Sequence, residues 1–504
     1  MRLQSPQSFT ILALLAVMAV PVLLAQDNAV HGDWPIITRR GDQLYEGNRP
    51  FRFFGLDAPN LSFNESQIRA DRSNRFTDEF EIRDTLGGLQ REGARATRLF
   101  TLTVYSPLDH GIATHITGRR SYNEEAFRGL DRVIALAHEY DVRLIIPFIA
   151  SQSFERIRGV DEFAELAGKP GGAFWTDEEV KDDFRDLLRF VLNRRNTVNG
   201  ILYKDDPAIL AWQLGNEFNV YYGDRKLSEA EWSPRILAWS VEMAAYIKTI
   251  DHSHLVMEAG GADRAVLLAD PNIDIVSDHL YEYWNRLTGQ PVDLASIATA
   301  SRNLCKGKKA LIVDEFGLGA TENLRSLMNT IRDDGIVGGL MWSIRCHRRD
   351  GGWYYHSETG TAFNSFHVPG FAAGFAFDET RLLDLLRSEA YLIRNQEPPP
   401  LALPSPAPVL IQQGDGFAWR GSTGAASYTL ERAENQDGPW TVLAVSLQDS
   451  VIADVAEFEG TPSAAQALRL YTDESRRPGN HSFYRLKALN AAGETGYSNV
   501  LSVQ

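Results

Sequence analysis

Cysteine is scarce in this chain. Among 504 residues only Cys305 and Cys346 occur, so a fold stapled by several disulfides is excluded. In the fold predicted below, the two positions fall at opposite ends of the structure, and we expect two buried thiols. Cysteine and histidine nowhere have the spacing of a structural metal site, and we predict neither a metal nor a cofactor.

Positive charge is also in short supply. The chain carries 51 Lys and Arg against 66 Asp and Glu, a formal net charge of −15. Nucleic-acid binding needs clustered cations to neutralise phosphates, so nucleic acid is not an expected partner.

Long hydrophobic runs are absent apart from one at the amino terminus. Residues 9–25 are apolar, follow Arg2 and end at Ala25 before polar residues. This pattern is typical of a signal peptide over residues 1–25, which predicts a secreted or periplasmic protein. A membrane anchor is the alternative, although the stretch is short for a spanning helix of ~20 residues.

Apolar segments of strand length alternate with helical patterns from about residue 50 to 395. The predicted strands are Phe53–Ala58, Ala96–Phe100, Arg143–Ile149, Ile209–Asn216, Leu255–Ala259, Ile275–Tyr281, Ala310–Phe316 and Gly338–Ile344. Residues 127–141 and 182–196 each place apolar residues on one helical face. Eight such strands predict an α/β fold, a (β/α)8 barrel over residues 26–395. A doubly wound sheet is less favoured, since no glycine-rich phosphate turn follows the first strand.

Composition changes at residues 396–408, where six of thirteen residues are proline, as in a semi-rigid linker. Residues 409–504 then predict a small all-β sandwich, in which Tyr484, Leu486 and Ala488 point inward. The segment 482–503 resembles the last strands of a fibronectin type III domain. We expect a structural or spacer role for this module; sugar binding through Trp419 and Trp440 is the alternative to burial of both rings in the core.

Two of the apolar strands end in a glutamate. Glu217 closes ILAWQLGNE, and Glu315 lies near the end of ALIVDEFG. A buried strand that delivers a carboxylate is energetically unfavourable unless the carboxylate has a function. Both strand ends fall on the same rim of the predicted barrel, so the two glutamates should face one pocket. Paired carboxylates are the apparatus of a glycosidase, in which one donates a proton and the other attacks or activates water.

The flanking residues make this interpretation specific. AWQLGNE and VDEFG resemble the fourth and seventh strands of glycoside hydrolase family 5 and its clan. The resemblance implies that Glu217 is the acid/base and Glu315 the nucleophile. It further implies supporting roles for Arg98 and Asn216 and for the His-x-Tyr pair His279 and Tyr281, and a sugar platform at Trp342.

Residues 174–217 resemble the endo-β-1,4-mannanases of that family, through an Asn-Thr-x-x-Gly turn and the run from Tyr203 to Pro207. The mannanases usually continue after the acid/base with Pro-Arg, whereas this chain has Phe218 and Asn219. The resemblance to the mannanases implies a retaining enzyme that acts on mannan or glucomannan, and we expect a monomer. Cellulose or another β-glucan, exo action on manno-oligosaccharides, and a barrel that binds carbohydrate without cleaving it remain alternatives.

The segment after the eighth strand, residues 346–371, is rich in aromatic, His and Asp residues. His347, Asp350 and Trp353, with Tyr355 and His356, are candidates to line the sugar-binding subsites. A long loop that packs on itself is the alternative. A metal site at His347, His356 and His367 is not favoured, because the spacing fits no common pattern.

Overall fold

The eight predicted strands form one parallel sheet that curves into a barrel. They are β1 (Phe53–Leu56), β2 (Ala96–Arg98), β3 (Arg143–Pro147), β4 (Ile209–Gln213), β5 (Leu255–Met257), β6 (Ile275–Tyr281), β7 (Ala310–Gly317) and β8 (Gly338–Met341). Strands β2 to β8 pair in chain order, and β8 pairs with β1. At the remaining seam, Ala58 N–H donates to the carbonyl of Arg98 at 2.8 Å. The (β/α)8 prediction is confirmed.

The computed structural model describes most of the chain from residue 34 onward. The described ranges are 34–63, 76–108, 114–152, 158–221, 228–260, 264–282, 292–354, 365–370, 378–449, 469–476, 479 and 481–504. The predicted signal peptide lies outside them, as do Tyr355 and His356. No helix in these ranges is long and apolar enough to cross a membrane.

Helices follow most of the barrel strands. Their bounds are α1 (Glu79–Arg91), α2 (Glu124–Tyr140), α3 (Val160–Leu166), α4 (Glu178–Leu192), α5 (Glu229–Ile250), α6 (Arg264–Ala269), α7 (Leu294–Cys305), α8 (Thr321–Asp333) and α9 (Glu379–Leu392). The two predicted helices are confirmed as α2 and α4, each beginning three or four residues earlier than the pattern suggests. Asp177 explains the early start of α4, because its carboxylate accepts hydrogen bonds from the N–H groups of Glu179 and Val180.

The barrel core consists of inward-facing apolar side chains from nearly every strand, including Phe53, Ile145, Met257 and Leu340. A three-stranded antiparallel ribbon precedes the barrel, with strands Ile37–Arg40, Gln43–Glu46 and Arg49–Pro50. Ile37 and Leu44 of this ribbon join the same buried cluster. The ribbon therefore closes the amino-terminal end of the barrel and leaves the carboxyl-terminal end for the site.

The segment that resembles the mannanase run before β4 is scaffold. Asp131 of α2 accepts hydrogen bonds from Arg194 (2.9 and 2.7 Å), Thr197 (2.7 Å) and Tyr203 (2.7 Å). Asp206 accepts from the N–H of Ala208 at 2.9 Å just before β4 begins. These buried bonds fix the entry of β4 and, through it, the position of Glu217.

An all-β region follows the barrel. Its strands are β9 (Val409–Gln413), β10 (Gly416–Arg420), β11 (Ser427–Ala433), β12 (Thr441–Leu447), β13 (Ser482–Asn490), β14 (Gly493–Glu494) and β15 (Leu501–Val503). One sheet pairs β9 with β10, and the second has β11 between β12 and β13. We call residues 409–504 the C-terminal module. Tyr484, Leu486 and Ala488 are fully buried between the sheets, as the alternation predicts.

The residues between barrel and module are held in place. Arg91 of α1 donates to the carbonyls of Ala402 (3.1 Å) and Leu403 (2.6 Å), and Arg387 of α9 donates to that of Pro399 at 2.5 Å. The chain from Pro35 to Gln504 accordingly forms one compact unit. Cys305 and Cys346 are both buried free thiols.

Candidate active site

Glu217 lies on a short loop beyond β4 and not on the strand itself. The strand ends at Gln213, and Asn216 bridges to Ala150 before the chain turns. Glu217 has a left-handed backbone, φ +52°, which is uncommon for a residue with a side chain. Ser151 Oγ donates to the Glu217 carbonyl at 2.6 Å and holds this turn.

Glu315 points into the barrel because β7 contains an irregularity. In the register with β6, Asp278 pairs with Val313 but His279 pairs with Glu315, so Asp314 is the extra residue. A bulge of this kind places two successive side chains on one face. Asp314 and Glu315 therefore both face inward, and both are buried.

Arg98 at the end of β2 connects the two glutamate strands. Its guanidinium, which is fully buried, donates to Glu315 Oε1 at 2.8 Å, to Asn216 Oδ1 at 2.6 Å and to Gln213 Oε1 at 2.6 Å. Asp314 lies 3.5 Å from its Nε. A buried cation with several anionic and amide partners positions the carboxylate while it offsets the cost of burying charge.

The predicted His-x-Tyr pair also meets the glutamates. His279 Nδ1 lies 2.8 Å from Glu217 Oε1 and 3.3 Å from Glu315 Oε2, so the ring stands between the two carboxylates. Tyr281 donates its hydroxyl to Glu315 Oε2 at 2.8 Å. Each oxygen of Glu315 thus has a donor, one from Arg98 and one from Tyr281.

These groups titrate together. Burial raises the pKa of Glu315 to about 7; His279 and Arg98 act against this rise, and Glu217 adds to it. Burial also acts to raise the pKa of Glu217, but the hydrogen bond and charge of His279 leave that pKa below its ordinary value. The pKa of His279 is raised well above its usual range by the surrounding carboxylates, against the effect of burial. A proton donor needs a raised pKa, so the acid/base role implied for Glu217 would give Glu217 the higher pKa of the pair. The structure has the opposite order, because His279 pairs with Glu217 and lowers its pKa.

Trp342 lies at the mouth of the barrel directly after β8. Its N–H donates to the Phe316 carbonyl at 2.8 Å, which ties it to the strand of Glu315. The ring packs in a cluster with Phe63, Phe100 and Tyr281, with the Phe100 ring centroid 5.9 Å away. This aromatic group borders the two glutamates through Tyr281.

Glu217, His279 and Glu315 also satisfy the spacing of a metal site, since one possible ligand atom from each lies within 4.8 Å of the others. The hydrogen bonds described above already pair these atoms with one another. We therefore interpret the trio as a proton-sharing cluster.

Three candidate subsite residues are placed elsewhere. His347 and Trp353 are buried against Asp449 of the C-terminal module, at 3.0 and 2.9 Å, and Asp350 pairs with Arg348 at 3.0 Å. The structure does not bring them to the glutamates, because the segment after β8 turns toward the module. His347 and Trp353 pack against the module, whereas Asp350 is exposed beside Arg348.

Phe218, which replaces the usual proline, is buried against Trp175 and Trp239, with ring centroids at 4.9 and 5.6 Å. Asn219 is exposed. The departure thus lies in how the Glu217 loop is anchored. In the C-terminal module, Trp419 is fully buried, whereas Trp440 is partly exposed with Arg485 4.2 Å from its ring.

Four polar residues of the site were not predicted: Asp57, Gln152, Gln213 and Asp314. Gln213 lies within AWQLGNE and Asp314 within VDEFG. Gln213 bridges Arg98 and Asp314 through its side-chain amide. Gln152 donates to Glu217 Oε2. Asp57 directly follows β1, and its position at the carboxyl end of a barrel strand was the available signal.

Comparison with known proteins identifies glycoside hydrolases as the proteins that this chain is similar to. Residues 145–334 match a family model described as GH family 5 beta-mannosidase-like. Mannan endo-1,4-beta-mannosidase 5 of Solanum lycopersicum is 27% identical over 373 residues, covering 64% of this chain and 84% of the relative. Mannan endo-1,4-beta-mannosidase 7 of Arabidopsis thaliana is 38% identical over 275 residues, covering 44% and 61% respectively.

Solved structures agree in fold. The endo-1,4-beta-mannanase from Rhizomucor miehei aligns with a TM-score of 0.56 at 20% identity, over 72% of this chain and all of that one. The endo-beta-1,4-mannanase from Thermotoga petrophila aligns with a TM-score of 0.55 at 17% identity, over 90% and 97%. With the paired glutamates at the carboxyl end of the barrel, these relatives define a glycoside hydrolase. Its mannosidase-like region spans β3 to α8.

Proposed function

We propose that the enzyme hydrolyses β-1,4-linked mannan or glucomannan within the chain and retains the anomeric configuration. The observation that carries the proposal is the facing pair Glu217 and Glu315, which have carboxylate oxygens within 4.8 Å of each other. Retaining glycosidases have carboxyl groups ~5–5.5 Å apart, whereas inverting enzymes need ~6.5–9.5 Å to admit a water. The spacing therefore favours double displacement.

In the first displacement Glu315 attacks the anomeric carbon. The bond to the leaving sugar oxygen breaks, and Glu217 gives that oxygen its proton. Arg98 and Tyr281 hold the Glu315 carboxylate in place and favour its ionised form. We infer that the proton shared across the 2.8 Å contact between His279 and Glu217 moves onto Glu217 when substrate excludes water.

In the second displacement water replaces the enzyme. Glu217, now ionised, takes a proton from water, the water oxygen bonds to the anomeric carbon, and the ester bond to Glu315 breaks. Two inversions restore the starting configuration. We assign to Asn216, whose amide lies between Arg98 and Gln152, the binding of the hydroxyl next to the reacting carbon.

The substrate assignment rests on the relatives, which are named as mannan endo-1,4-beta-mannosidases. Trp342 supplies an apolar face on which a pyranose ring can stack. Cellulose and manno-oligosaccharides attacked from their ends are the competing substrates. The apolar stretch over residues 9–25 supports export to the place where such polymers occur.

The test compares mannan, glucomannan and carboxymethyl-cellulose with wild-type enzyme and the variants Glu217→Ala and Glu315→Ala. We expect internal cleavage of the two mannans by the wild type and loss of turnover in both variants with the fold intact. Glu165→Ala, which removes an exposed carboxylate from α3, is the control and should keep full activity. Full activity of either glutamate variant, or a preference for carboxymethyl-cellulose, contradicts the proposal.

A further inference from the structure

A buried ionic cluster joins the barrel to the C-terminal module. His347, six residues beyond β8, lies between Asp84 of α1 and Asp449, which follows β12. Its Nδ1 is 2.9 Å from Asp84 Oδ2, and its Nε2 is 3.0 Å from Asp449 Oδ2. The imidazole is fully buried and both carboxylates are nearly so.

The cluster leaves no carboxylate oxygen without a donor. Asp84 Oδ1 accepts from Thr423 at 2.5 Å, and Asp84 Oδ2 also accepts from the His347 N–H at 2.7 Å. Asp449 Oδ1 accepts from Trp353 Nε1 at 2.9 Å, and Asp449 Oδ2 also accepts from the Tyr428 hydroxyl at 2.6 Å. Three of these contacts, Thr423 with Asp84 and both His347 and Trp353 with Asp449, cross from module to barrel. Each carboxylate oxygen has a donor, as a buried polar network needs in order to favour folding.

The charges of the cluster support one another. Burial lowers the pKa of His347, but Asp84 and Asp449 outweigh it and raise that pKa to about 9. Against the effect of burial, His347 holds the pKa of Asp84 and of Asp449 below their ordinary value. Among the other titratable and charged groups nearby, Arg91, Tyr140 and Tyr428 also interact electrostatically with Asp84, and Tyr428 does so with Asp449. Removing one member of such a set leaves a buried charge unpaired, which is strongly destabilising.

Two glycines of the module let its backbone approach the barrel closely. A side chain at Gly421 of the module would collide with the imidazole of His347, and one at Gly424 would lie 2.7 Å from Arg91. The rings of His347 and Trp353 stack with centroids 3.5 Å apart. The module and the segment after β8 therefore pack closely against each other in addition to their ionic pairing.

The segment held by the cluster begins at the active site. Two residues after Trp342, the N–H of Ile344 donates to the Asp57 carbonyl at 2.8 Å. His347 lies three residues further along the chain. The chain from Trp342 to Trp353 is thus anchored at Asp57 on one side and at Asp449 on the other. A change in the position of the module would be transmitted to Trp342 through a few residues of buried backbone.

We propose that the C-terminal module is a permanently docked part of the catalytic unit, and that His347 is a positioning residue that ties it to the segment carrying Trp342. The module thus acts on the site through the backbone and makes no contact with sugar in this role. The dependence of activity rests on the proposed function, whereas the docking itself does not.

The docking is tested by calorimetry of the full chain with His347→Gln and Asp449→Asn. The wild type should unfold in a single transition. Each variant should lower the transition by about 3 °C or more, or split it as the module separates. His481→Gln and Asp437→Asn, at exposed positions of the module, are matched controls and should behave as wild type. Variants that match these controls overturn the proposal. Asp449→Asn removes charge with little change in shape, so it serves alone if His347→Gln does not fold.

The pH dependence of the free energy of unfolding is a second, independent test of the ionic cluster. Because the folded pKa of His347 is raised, its contribution is complete below the unfolded value near 6.5 and is lost as pH rises through about 9. The contributions of Asp84 and Asp449 are present above about 3.8 and are lost as pH falls. The stability difference between wild type and Asp449→Asn should therefore be largest between these limits and small above pH 9. A difference that does not change with pH contradicts the ionic cluster.

The positioning role is read from the kinetics of mannan cleavage. We expect Asp449→Asn to raise KM about threefold or more with kcat nearly unchanged, because Trp342 binds sugar and takes no part in proton transfer. Unchanged KM in a variant with altered unfolding overturns the positioning role. Absence of mannan cleavage by the wild type would instead overturn the proposed function, and calorimetry would still decide the docking.

Discussion

At the scale of single residues, the site depends on how Glu315 keeps a negative charge in a buried place. Burial raises its pKa to about 7, while Arg98 acts in the opposite direction and Tyr281 donates to its second oxygen. The fraction of Glu315 that is ionised at a given pH therefore depends on Arg98 and Tyr281. Removal of either partner should shift the acidic limb of the pH profile of kcat/KM.

Tyr281→Phe removes one hydrogen bond from Glu315 without a change in charge. A hydrogen bond to a charged group contributes about 1.5–3 kcal/mol, so kcat/KM should fall about 10- to 100-fold. The ionised form loses a donor, so the acidic limb of kcat/KM should move to higher pH. Steady-state kinetics across pH checks both effects. An acidic limb that stays in place would show that Tyr281 does not stabilise the carboxylate.

Asp57 is the second residue with an unusual charge state. It is fully buried, and within the described residues neither of its carboxylate oxygens has a hydrogen-bond partner. Burial raises its pKa well above the ordinary value; Arg98 acts against this rise, and Glu315 and Asp314 strengthen it. We interpret Asp57 as a neutral acid, which leaves Arg98 committed to Glu315.

Asp57→Asn should be more stable than the wild type at neutral and alkaline pH. The folded pKa of Asp57 is raised, so above about pH 3.8 the unfolded chain releases a proton that the native state retains. The free energy of unfolding of the wild type then decreases as pH rises, and the asparagine variant lacks this loss. We expect a gain of at least about 1 kcal/mol at pH 8, the equivalent of less than one pKa unit.

Urea unfolding at pH 4 and pH 8 measures this difference. A gain that grows with pH supports the neutral acid. A variant that is destabilised, and most so at pH 8, would show that Asp57 is ionised and paired with Arg98.

At the scale of elements, the β4 loop and the β7 bulge place the two glutamates. The loop turns at Glu217 with a left-handed backbone, and Phe218 anchors it among the rings of Trp175 and Trp239. Gly215 makes the close approach possible, since a side chain there would collide with the Ile149 carbonyl and the Phe218 ring.

Gly215→Ala should disable catalysis without unfolding the barrel. The added methyl group must displace backbone or Phe218, and a shift of about 1 Å at a reacting group can cost about 100-fold in rate. Gly129→Ala adds the same methyl group on α2, where the nearest atom is 4.0 Å away, and is the control. Activity and circular dichroism of both variants provide the test. Wild-type activity of Gly215→Ala would show that the loop tolerates movement.

Much of this arrangement is predictable from the sequence. Each of the eight strands is an apolar run of strand length. Glu217 follows the fourth run, and Glu315 lies near the end of the seventh. The bulge at Asp314 is not predictable, because it depends on the pairing of β7 with β6 and not on a local pattern. The role of His347 is equally hidden, since its partner Asp449 is about one hundred residues away. The sequence leaves both sugar binding and packing open for the segment after β8, because aromatic and charged residues occur together both in subsites and in buried interfaces.

At the scale of the whole molecule, the two parts of the chain form one unit. The proline-rich composition of residues 396–408 predicts a semi-rigid spacer. In the structure this linker lies against the barrel, because Arg91 of α1 and Arg387 of α9 donate hydrogen bonds to its backbone carbonyl groups. The module is therefore held by the linker and by the His347 cluster.

The central claim is that Glu217 and Glu315 act as a retaining pair on β-1,4-mannan. The most direct measurement is proton NMR of the first products released from a manno-oligosaccharide, recorded before the anomers equilibrate. We predict that the β-anomer appears first and that the α-anomer increases later by mutarotation. An α-anomer that appears first would mean a single displacement and would rule out the retaining pair.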